Sequence, residues 1–283
     1  MEIIKDLRVM QARSGFLRQE GKAIGFVPTM GYLHEGHLTL LRRAREENDI
    51  VVLSIFVNPT QFGAGEDYEK YPRDTEGDLA KASEAGTDIA FLPEVAEMYP
   101  AGYATYVNVE GLTEKLCGRS RPGHFRGVTT VVLKLFNLVQ PHRAYFGEKD
   151  YQQLVVIKKM VSDLNLDLQI IGCPTVRESD GLAMSSRNAY LSPQERLSAL
   201  CLSRSLAKAE ELIRGGEKSP QSIINEISKV IEKEPGAKID YVAVCHPETL
   251  GDLESIDSQA LIALAVKIGP ARLLDNRLVK VNN

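Results

Sequence analysis

An almost wholly apolar run, IVVLSIFV at residues 50–57, is the feature that most constrains the fold of this chain. A run of that length without polar alternation is typical of a β-strand covered on both faces. Shorter β-branched runs predict further strands, at residues 24–27, 88–92, 104–109, 143–146 and 168–172. Helical spacing of apolar residues predicts helices, at residues 36–47, 73–85, 129–139 and 151–164. This alternation implies right-handed crossovers and an α/β fold, a Rossmann-like doubly wound parallel sheet, in which Pro28 ends the first strand.

The pattern changes after about residue 175. Two helices and then three strands are predicted there, at residues 193–213, 220–232, 239–245, 260–268 and 272–281. Ser192 and Pro193 have the residue types preferred at the N-cap and at the first position of a helix. Helices followed by strands are typical of an α+β fold. We therefore expect a Rossmann-like domain at residues 1–175 and a smaller C-terminal α+β domain at residues 176–283 that acts as a lid.

The composition excludes several classes of function. A formal net charge of −4 over 283 residues leaves no broad basic surface, so we expect no nucleic-acid partner. No apolar run approaches the ~18 residues of a membrane span, and no signal core follows the N-terminus, so we expect a soluble cytoplasmic protein. The four cysteines form no CxxC pair and are expected to be free, mostly buried thiols, at Cys117, Cys173, Cys201 and Cys245.

The segment PTMGYLHEGH, residues 28–37, lies where a predicted strand ends and a predicted helix begins. Ligands of open α/β sheets bind at that edge, and a helix N-terminus offers free N–H groups and a positive dipole to phosphate. His34 and His37 are three residues apart and share a helix face, so two imidazoles can stabilise charge on a reacting phosphorus. Gly31 and Gly36 allow the backbone to approach a ligand closely.

Two other interpretations of this histidine pair are weaker. Surface or helix-capping histidines are disfavoured because two of the five histidines of the chain fall in one tetrapeptide. A zinc site is a weak alternative, since zinc needs a third ligand and usually HExxH spacing, which HEGH lacks. The segment therefore predicts a phosphate site, and specifically a site for ATP.

Three further polar clusters are each ambiguous when considered alone. Asn58 and Gln61, in NPTQFG, could hydrogen-bond a small polar substrate, although Asn-Pro is also a common turn opener. In GEKDYQQ, Lys149 can reach a phosphate and Asp150 can accept from ribose hydroxyls, or these residues simply begin a charged helix. AMSSRN, residues 183–188, suits a triphosphate or is a solvated linker. The chain lacks GxxxxGK[ST] and a GxGxxG after a strand, which excludes Walker-type NTPases and typical dinucleotide enzymes.

Together these motifs resemble those of a known family. HEGH resembles the HIGH signature of class I synthetases and nucleotidyltransferases, and MSSR, residues 184–187, resembles their KMSKS loop. PTMGYLHEGH, NPTQFG, GHFRGV, GEKDYQQ and AMSSRN occur in order from about residue 29 to residue 191, as in the pantothenate synthetase family of pantoate–β-alanine ligases, which the chain resembles. The resemblance implies an ATP-dependent condensation of (R)-pantoate with β-alanine through a pantoyl adenylate, with release of AMP and pyrophosphate. It also implies Mg²⁺ on the triphosphate and a cytoplasmic homodimer.

The resemblance further implies roles for individual residues. His34, His37 and Lys149 are the expected catalytic residues, with His37 as the proton donor. The expected ATP-binding residues are Met30, Gly31, Tyr32, Leu33, His34, Glu35, Gly36, His37, Gly147, Glu148, Lys149, Asp150, Val176, Met184, Ser185, Ser186 and Arg187. Gln61 and Gln153 are expected to hold pantoate, with Gln61 also near β-alanine.

Four more polar residues complete the expected site. Asn58 is expected to bind substrate beside Gln61. Asp78, in PRDTEGD, matches a metal-linked carboxylate, with an exposed helix residue as the alternative. His124 and Arg126, in GHFRGV, are expected to line the site.

Other functions stay open at this point. An adenylyl- or cytidylyltransferase of the same fold would share the HEGH turn but would need cations for a phosphorylated acceptor, and the neutral Gln61 and Gln153 argue against that. A class I aminoacyl-tRNA synthetase would need a tRNA-binding module. A non-catalytic nucleotide-binding module would release neither AMP nor pyrophosphate, and a zinc hydrolase would contain metal.

Overall fold

The computed structural model describes residues 1–281, which form two compact units. The larger one, the sheet unit, holds a six-stranded sheet and comprises Met1–Glu114, Arg121–Glu148 and Gln153–Pro174. The smaller one, the C-terminal unit, holds a three-stranded sheet and comprises Lys115–Ser120, Lys149–Gln152 and residues 175–281. The predicted fold class, a doubly wound parallel α/β sheet followed by a smaller α+β part, is confirmed. A division into independent domains between residues 175 and 176 stays a prediction, since two short earlier segments belong to the C-terminal unit.

The order of strands in the parallel sheet reverses next to the HEGH turn. The strands are β1 (Glu2–Ile4), β2 (Ile24–Thr29), β3 (Ile50–Ile55), β4 (Ile89–Phe91), β5 (Arg143–Gly147) and β6 (Gln169–Cys173). Their spatial order is β1-β4-β3-β2-β5-β6, and every neighbouring pair is parallel. The chain runs outward from β2 through β3 to β4 and returns to the other side of β2 with β5. Ligands of open α/β sheets bind at such a switch point. The HEGH turn, which we define as residues 30–37, directly follows β2 and includes the start of α2.

Helices cover both faces of this sheet. They are α1 (Leu7–Gln19), α2 (Glu35–Glu47), α3 (Thr75–Glu84), α4 (Val95–Met98), α6 (His124–Val139) and α7 (Tyr151–Asp163), with α5 (Cys117–Ser120) assigned to the C-terminal unit. Phe26 of β2 packs edge-on against Phe136 of α6, whereas Val27 clusters with Leu41 of α2. Successive side chains of a strand point to opposite faces, so α6 and α2 lie on opposite faces of the sheet. No helix within residues 1–281 has both the length and the hydropathy of a membrane span.

The apolar run at residues 50–57 forms the buried strand that it predicts. Val51, Val52 and Leu53 of β3 are fully buried, and β3 pairs with β2 on one side and with β4 on the other. The strand ends at Ile55, two residues earlier than predicted. β3 therefore places the polar NPTQFG segment at the same edge of the sheet as the HEGH turn.

The C-terminal unit is an α+β structure with its own core. Its main elements are α8 (Pro193–Arg214), α9 (Pro220–Glu232), β7 (Ala237–Cys245), β8 (Gln259–Ile268) and β9 (Ala271–Lys280), and the antiparallel sheet has the order β7-β8-β9. Ile223, Ile227 and Ile231 recur at helical spacing on α9 and are fully buried in this core. Ser192 caps α8 and Pro193 is its first residue, so the predicted start of this helix is confirmed.

One predicted strand is longer in the structure than the sequence indicates, and another is absent. β2 continues through Pro28 to Thr29, because β5 pairs only with Gly25 and Phe26, so the ladder on the β5 side does not need an N–H at residue 28. Residues 104–109 form no strand. The N–H and C=O of Val107 there bond instead to hydroxyl groups of two threonines on α6, at 2.9 and 2.7 Å.

The first two elements of the chain were not predicted. β1 has only three residues at the edge of the sheet, too short to produce a periodic pattern. α1 exposes Val9 and Phe16, which are 54% and 51% exposed, so its apolar residues do not form one clear stripe.

All four cysteines are buried and free, as predicted. Burial raises the pKa of Cys201 to about 11 and that of Cys245 to about 12. Burial also raises the pKa of Cys173, which lies in the sheet unit. Cys173, Cys201 and Cys245 are therefore buried in their neutral form.

Candidate active site

The turn that joins β2 to α2 has a closely fixed backbone. Gly31 and Tyr32 are both left-handed, with φ angles of +84° and +52°. A β-carbon at Gly31 would lie 2.9 Å from a carboxylate oxygen of Asp78, so both the φ angle and the space require glycine. His34 then caps α2, because its Nδ1 accepts from the N–H of Gly36 at 3.2 Å.

His34 and His37 lie side by side at the start of α2, with ring centroids 4.1 Å apart. Nδ1 of His37 accepts from the main-chain N–H of His34 at 3.3 Å, so each imidazole uses Nδ1 as an acceptor. A ring nitrogen that accepts an N–H carries no hydrogen, and the tautomer assigned from these bonds has its hydrogen on Nε2. The histidines therefore cap the helix, which is the alternative that the sequence disfavoured, and their role at a phosphate stays a prediction.

The expectation of a row of free main-chain N–H groups at this turn is wrong. The N–H groups of Tyr32, Leu33, His34 and Gly36 all donate to side chains of the protein. The dipole of α2 still favours an anion at this turn.

Asp78 lies on the first turn of α3 and is only 1% exposed. Its Oδ1 accepts from the N–H of Leu33 at 2.6 Å and its Oδ2 from the N–H of Tyr32 at 2.7 Å. Burial raises the pKa of this carboxyl, and the two N–H bonds offset part of that rise. The alternative of an exposed helix residue is therefore wrong.

Asp78 also fits a metal ion poorly. Mg²⁺ is held by carboxylates that share it with phosphates and waters, whereas both oxygens of Asp78 accept from the main chain in a buried place. Among residues 1–281, no group of three or more His, Cys, Asp or Glu side chains could hold a metal ion. The bonds observed give Asp78 the role of supporting the turn, and its link to a metal ion stays a prediction.

Gln61 lies next to the segment that leads into the turn. Its Nε2 is 3.2 Å from Sδ of Met30, and its Oε1 accepts from Nδ2 of Asn58 at 3.0 Å. It ends the single-turn 3-10 helix Pro59–Gln61, which follows β3. A predicted substrate-binding residue and a predicted ATP-binding residue are thus brought into contact.

Asn58 is buried and supports the position of Gln61. The residue is 1% exposed, and its Nδ2 also donates to the carbonyl of Gly127 at 3.2 Å. Its Oδ1 accepts from the hydroxyl groups of Tyr99 and Thr60, each at 2.9 Å. These bonds give Asn58 a role in supporting Gln61, and its contact with substrate stays a prediction.

A pocket of about 150 Å³ opens beside Gln61, and its lining includes His124 and Arg126. Nδ1 of His124 lies 2.8 Å from the carbonyl oxygen of Gln61. The guanidinium of Arg126 lies over the ring of Tyr106, 3.8 Å from its centroid. The two residues of GHFRGV therefore lie where the sequence places them, next to a predicted substrate-binding residue.

An ion pair that the sequence did not reveal fixes one side of Gln61. Arg121 binds Glu66 through two hydrogen bonds, of 2.7 and 2.5 Å, and also donates to the carbonyl of Gln61 at 3.2 Å. Burial disfavours the charged form of Glu66, but the bonds from Arg121 outweigh burial and lower its pKa. The partners are 55 positions apart, and no local pattern indicates such a pair.

The remaining predicted residues are divided between the two units. Gly147, Glu148 and Gln153 belong to the sheet unit, and the others belong to the C-terminal unit: Lys149, Asp150, Val176, Met184, Ser185, Ser186 and Arg187. Nζ of Lys149 lies 3.6 Å from a carboxylate oxygen of Asp150. The N–H of Met184 donates to the carbonyl of Val176 at 3.0 Å, so these two ATP-binding candidates are neighbours.

The MSSR segment, residues 184–187, leads into the 3-10 helix Ser186–Tyr190. Oγ of Ser185 caps that helix by accepting from the N–H of Arg187 at 3.3 Å. Ser186 is buried, with 8% exposure. Two predicted phosphate-binding residues are thus ordered by one local turn.

The segment before MSSR is anchored by a buried ion pair. Arg177 forms an isolated β-bridge with Ala183 and donates to both carboxylate oxygens of Asp275, at 2.7 and 2.9 Å. The side chain of Asp275 is 1% exposed and that of Arg177 is 23% exposed. The hydrogen bonds to Asp275 raise the pKa of Arg177, so its guanidinium stays charged.

Comparison with known proteins identifies the family. The chain matches the family described as "Pantoate-beta-alanine ligase" over residues 2–278. The chain belongs to the pantoate–β-alanine ligase family. A pantothenate synthetase of Acetivibrio thermocellus is 59% identical over 281 residues, 99% of this chain and 100% of that protein. A pantothenate synthetase of Moorella thermoacetica is 58% identical over 283 residues, 100% of both chains.

Solved structures of pantoate–β-alanine ligases have the same fold. A crystal structure of pantothenate synthetase from Thermus thermophilus has a TM-score of 0.93 at 49% identity and covers 98% of this chain and 99% of its own. The ligase of Francisella tularensis, described as complexed with beta-gamma ATP and beta-alanine, has a TM-score of 0.82 at 36% identity, over 98% and 97% of the chains. The chain is therefore an AMP-forming ligase that condenses pantoate with β-alanine through a pantoyl adenylate at the expense of ATP.

Proposed function

We propose that the pantoate–β-alanine ligase reaction of this chain takes place at the HEGH turn, with His34 and His37 as a catalytic pair. The observation that carries the proposal is the pair itself: two imidazoles with centroids 4.1 Å apart at the switch point of the sheet. Each has its Nδ1 held by a main-chain N–H, which fixes the ring and leaves the imidazole hydrogen on Nε2. Donors that are already oriented stabilise a charged transition state without reorganisation.

In the first step, a carboxylate oxygen of pantoate attacks the α-phosphorus of ATP. A carboxyl–phosphorus bond forms, the bond from the α-phosphorus to the bridging oxygen breaks, and pyrophosphate leaves with that electron pair. Negative charge on the phosphoryl oxygens rises in the transition state. We assign His37 as the proton donor of a hydrogen bond to those oxygens, through Nε2–H and without transfer of the proton, and His34 and the ammonium of Lys149 as further charge stabilisers.

In the second step, the neutral amine of β-alanine attacks the acyl carbon of pantoyl adenylate. A carbon–nitrogen bond forms, the carbon–oxygen bond to the phosphate breaks, and AMP leaves. The amine nitrogen loses a proton to solvent as the amide forms. This order of events is required because a free carboxylate does not react with an amine near neutral pH, whereas an acyl phosphate has a good leaving group.

The proposed ATP site includes both family signatures, HEGH and MSSR. We assign ATP to the turn and helix start at residues 30–37, to residues 147–150, to Val176 and to residues 184–187. The main-chain bond between Met184 and Val176 supports placing their assignments together. A lid movement of the C-terminal unit would admit the triphosphate and then shield the adenylate from water.

Neutral side chains select pantoate in this proposal. Gln61 and Gln153 offer amide donors and acceptors to its hydroxyl and carboxylate groups, and Gln61 also borders the place of β-alanine. The support for Gln61 is its fixed position: Asn58 and Arg121 bond its side chain and its carbonyl respectively. A substrate with a phosphate would require cations in place of these amides.

Magnesium belongs to the proposal as a partner of the triphosphate. When bound, it offsets the negative charge of the phosphate oxygens. The side chain predicted to hold it, Asp78, does not fit that task, so we route no step through the ion.

We further propose a cytoplasmic homodimer, on the basis of the family resemblance. Four buried cysteines without a disulfide bond support a reducing compartment. Sedimentation at micromolar concentration tests the dimer, and a single monomer species would contradict it.

The function is tested by incubating the protein with Mg-ATP, D-pantoate and β-alanine and measuring AMP and pantothenate. We expect stoichiometric AMP, pyrophosphate and pantothenate. The mechanism is tested by ATP–pyrophosphate exchange with pantoate alone, which adenylate formation predicts. Exchange that required β-alanine would rule out a separate adenylate step.

A further inference from the structure

Two side chains of α3 hold the peptide groups on both sides of Leu33. Oδ1 of Asp78 accepts from the N–H of Leu33 at 2.6 Å, and Nζ of Lys81 donates to the carbonyl of Leu33 at 3.1 Å. The second oxygen of Asp78 binds the N–H of Tyr32 at 2.7 Å. Residues three apart share a helix face, so one face of α3 contributes all three bonds. Leu33 is the residue immediately before His34, which caps α2.

The helix that carries these side chains is itself firmly placed. Ala82, next to Lys81, is fully buried in the same core cluster as Val27 of β2 and Leu41 of α2. Asp74 caps the start of α3 by accepting from the N–H of Gly77 at 3.1 Å. The three bonds to the turn therefore come from a rigid support rather than from a mobile loop.

The turn needs such a support because one of its residues has an energetically unfavourable backbone conformation. Tyr32 is left-handed at φ +52°, a conformation that disfavours residues with a β-carbon. A buried carboxylate is also costly to desolvate, and here it lies beside the ammonium of Lys81, which favours its charged form. A turn whose only task was to connect β2 to α2 would not require a buried carboxylate and a half-buried ammonium of opposite charge.

We propose that Asp78 and Lys81 are positioning residues for adenylate formation: as a clamp on Leu33, they set the place of the His34–His37 pair relative to the α-phosphorus. This inference rests on the proposed function. The clamp touches no reacting atom, and it acts through the backbone that carries the imidazoles. The two charges are opposite, so the clamp adds no net charge beside the triphosphate.

The proposal is tested with the purified full chain by pantoate-dependent ATP–pyrophosphate exchange over a range of ATP and Mg²⁺ concentrations. Asp78→Asn keeps the size of the side chain but replaces one acceptor oxygen by an NH₂ donor that faces an N–H. Lys81→Met removes the donor to Leu33, and Lys81→Arg restores one. Glu76→Gln is the matched control, because Glu76 is exposed on the first turn of the same helix and the change removes the same charge as Asp78→Asn.

We expect Asp78→Asn to lower the exchange rate at saturating ATP by about 10²-fold, since misplacement of reacting groups by about 1 Å has that effect. Lys81→Met should lower the exchange rate roughly three- to tenfold, which is the effect expected from the loss of one hydrogen bond. Lys81→Arg should recover most of the loss. The Mg²⁺ concentration for half-maximal rate and the KM for pantoate should stay as in the wild type and in Glu76→Gln.

Three results would overturn the clamp. A loss in Asp78→Asn that is recovered at high Mg²⁺ would make Asp78 a metal ligand. Unchanged exchange in a folded Asp78→Asn would remove it from the reaction, and if that variant is unfolded by circular dichroism, unchanged exchange in Lys81→Met decides against the proposal. Absence of pantoate-dependent exchange in the wild type would instead refute the proposed function, so the two failures are distinguishable.

Discussion

The HEGH turn and the MSSR segment carry the two signatures of the family, but they are held in different ways. The turn joins a strand of a parallel sheet to the 13-residue helix α2, and its histidines form a reciprocal capping box. The MSSR segment leads into a five-residue 3-10 helix that Ser185 caps at 3.3 Å, after an isolated bridge between Arg177 and Ala183. Short local structure of that kind opens at a lower free energy than a helix packed on a sheet.

This difference matches the two demands of adenylate chemistry. The transition state at phosphorus requires groups that are already in place, which the turn provides. A bulky triphosphate must also enter and then be enclosed, which requires an element that moves. We therefore expect substitutions in the turn to act on the rate of the first step and changes near MSSR to act on stability and dynamics.

The sharpest test of the HEGH turn is the substitution His37→Ala. We expect adenylate formation, measured as pantoate-dependent exchange, to fall by about 10²–10³-fold, because a positioned donor to a developing charge has that effect. ATP binding, measured by calorimetry, should change far less. His246→Ala is the matched control, since Nδ1 of His246 also accepts main-chain N–H groups but the residue lies outside every proposed site. Exchange near the wild-type rate would remove His37 from the mechanism.

The sequence predicted the HEGH turn more fully than it predicted the side chains that hold the turn in place. The buried run at residues 50–57, the start of α2 and the proximity of the two histidines follow from local periodicity, and all are observed. The partners of the turn do not follow, because Asp78 lies 46 positions from Tyr32 and its hydrogen bonds depend on how α3 packs. An acidic residue in the first turn of a helix gives the same local pattern whether it faces solvent, a metal or a buried N–H.

A substitution near the MSSR segment tests whether the Arg177–Asp275 ion pair, which anchors that segment, stabilises the protein. Asp275→Asn leaves the half-buried guanidinium of Arg177 without its charged partner, so we expect the free energy of unfolding to fall by about 3 kcal/mol. That is the lower end of the range for buried pairs, because Arg177 is 23% exposed. Urea unfolding measures the change.

A control for this prediction lies on α8 of the same unit. Glu211→Gln breaks an ion pair with Lys208 whose side chains are 69% and 37% exposed, so its effect should be below about 0.5 kcal/mol. Equal losses for Asp275→Asn and Glu211→Gln would show that the buried pair is no anchor.

A smaller effect is expected for the substrate amides. Gln61→Ala and Gln153→Ala should each weaken pantoate by about 0.5–1.5 kcal/mol, because each removes one neutral hydrogen-bond partner. Binding of ATP should be unaffected, as should both affinities in Gln221→Ala, a surface substitution on α9. If ATP and pantoate weakened equally, the assignment of these amides to pantoate would fail.

The smallest expected effect is a change in hydrogen exchange. With a non-hydrolysable ATP analogue, amides at residues 180–190 should gain protection, because the triphosphate draws the segment into one conformation. The amides of Tyr32, Leu33, His34 and Gly36 should change little, since side chains already bond them in the free protein. Unchanged protection at residues 180–190 with saturating analogue would mean that both signatures are preformed, and the contrast between them would be lost.

The four buried thiols give this enzyme a built-in reporter of its own opening. A thiol reacts with an alkylating reagent as the thiolate, and burial both hides these sulfur atoms and raises the pKa of Cys201 to about 11 and of Cys245 to about 12. The folded enzyme should therefore take up label very slowly, while the unfolded chain should take up four labels at once. Cys173 lies in the sheet unit and Cys201 and Cys245 in the C-terminal unit, so the order in which peptides become labelled tells which core opens first.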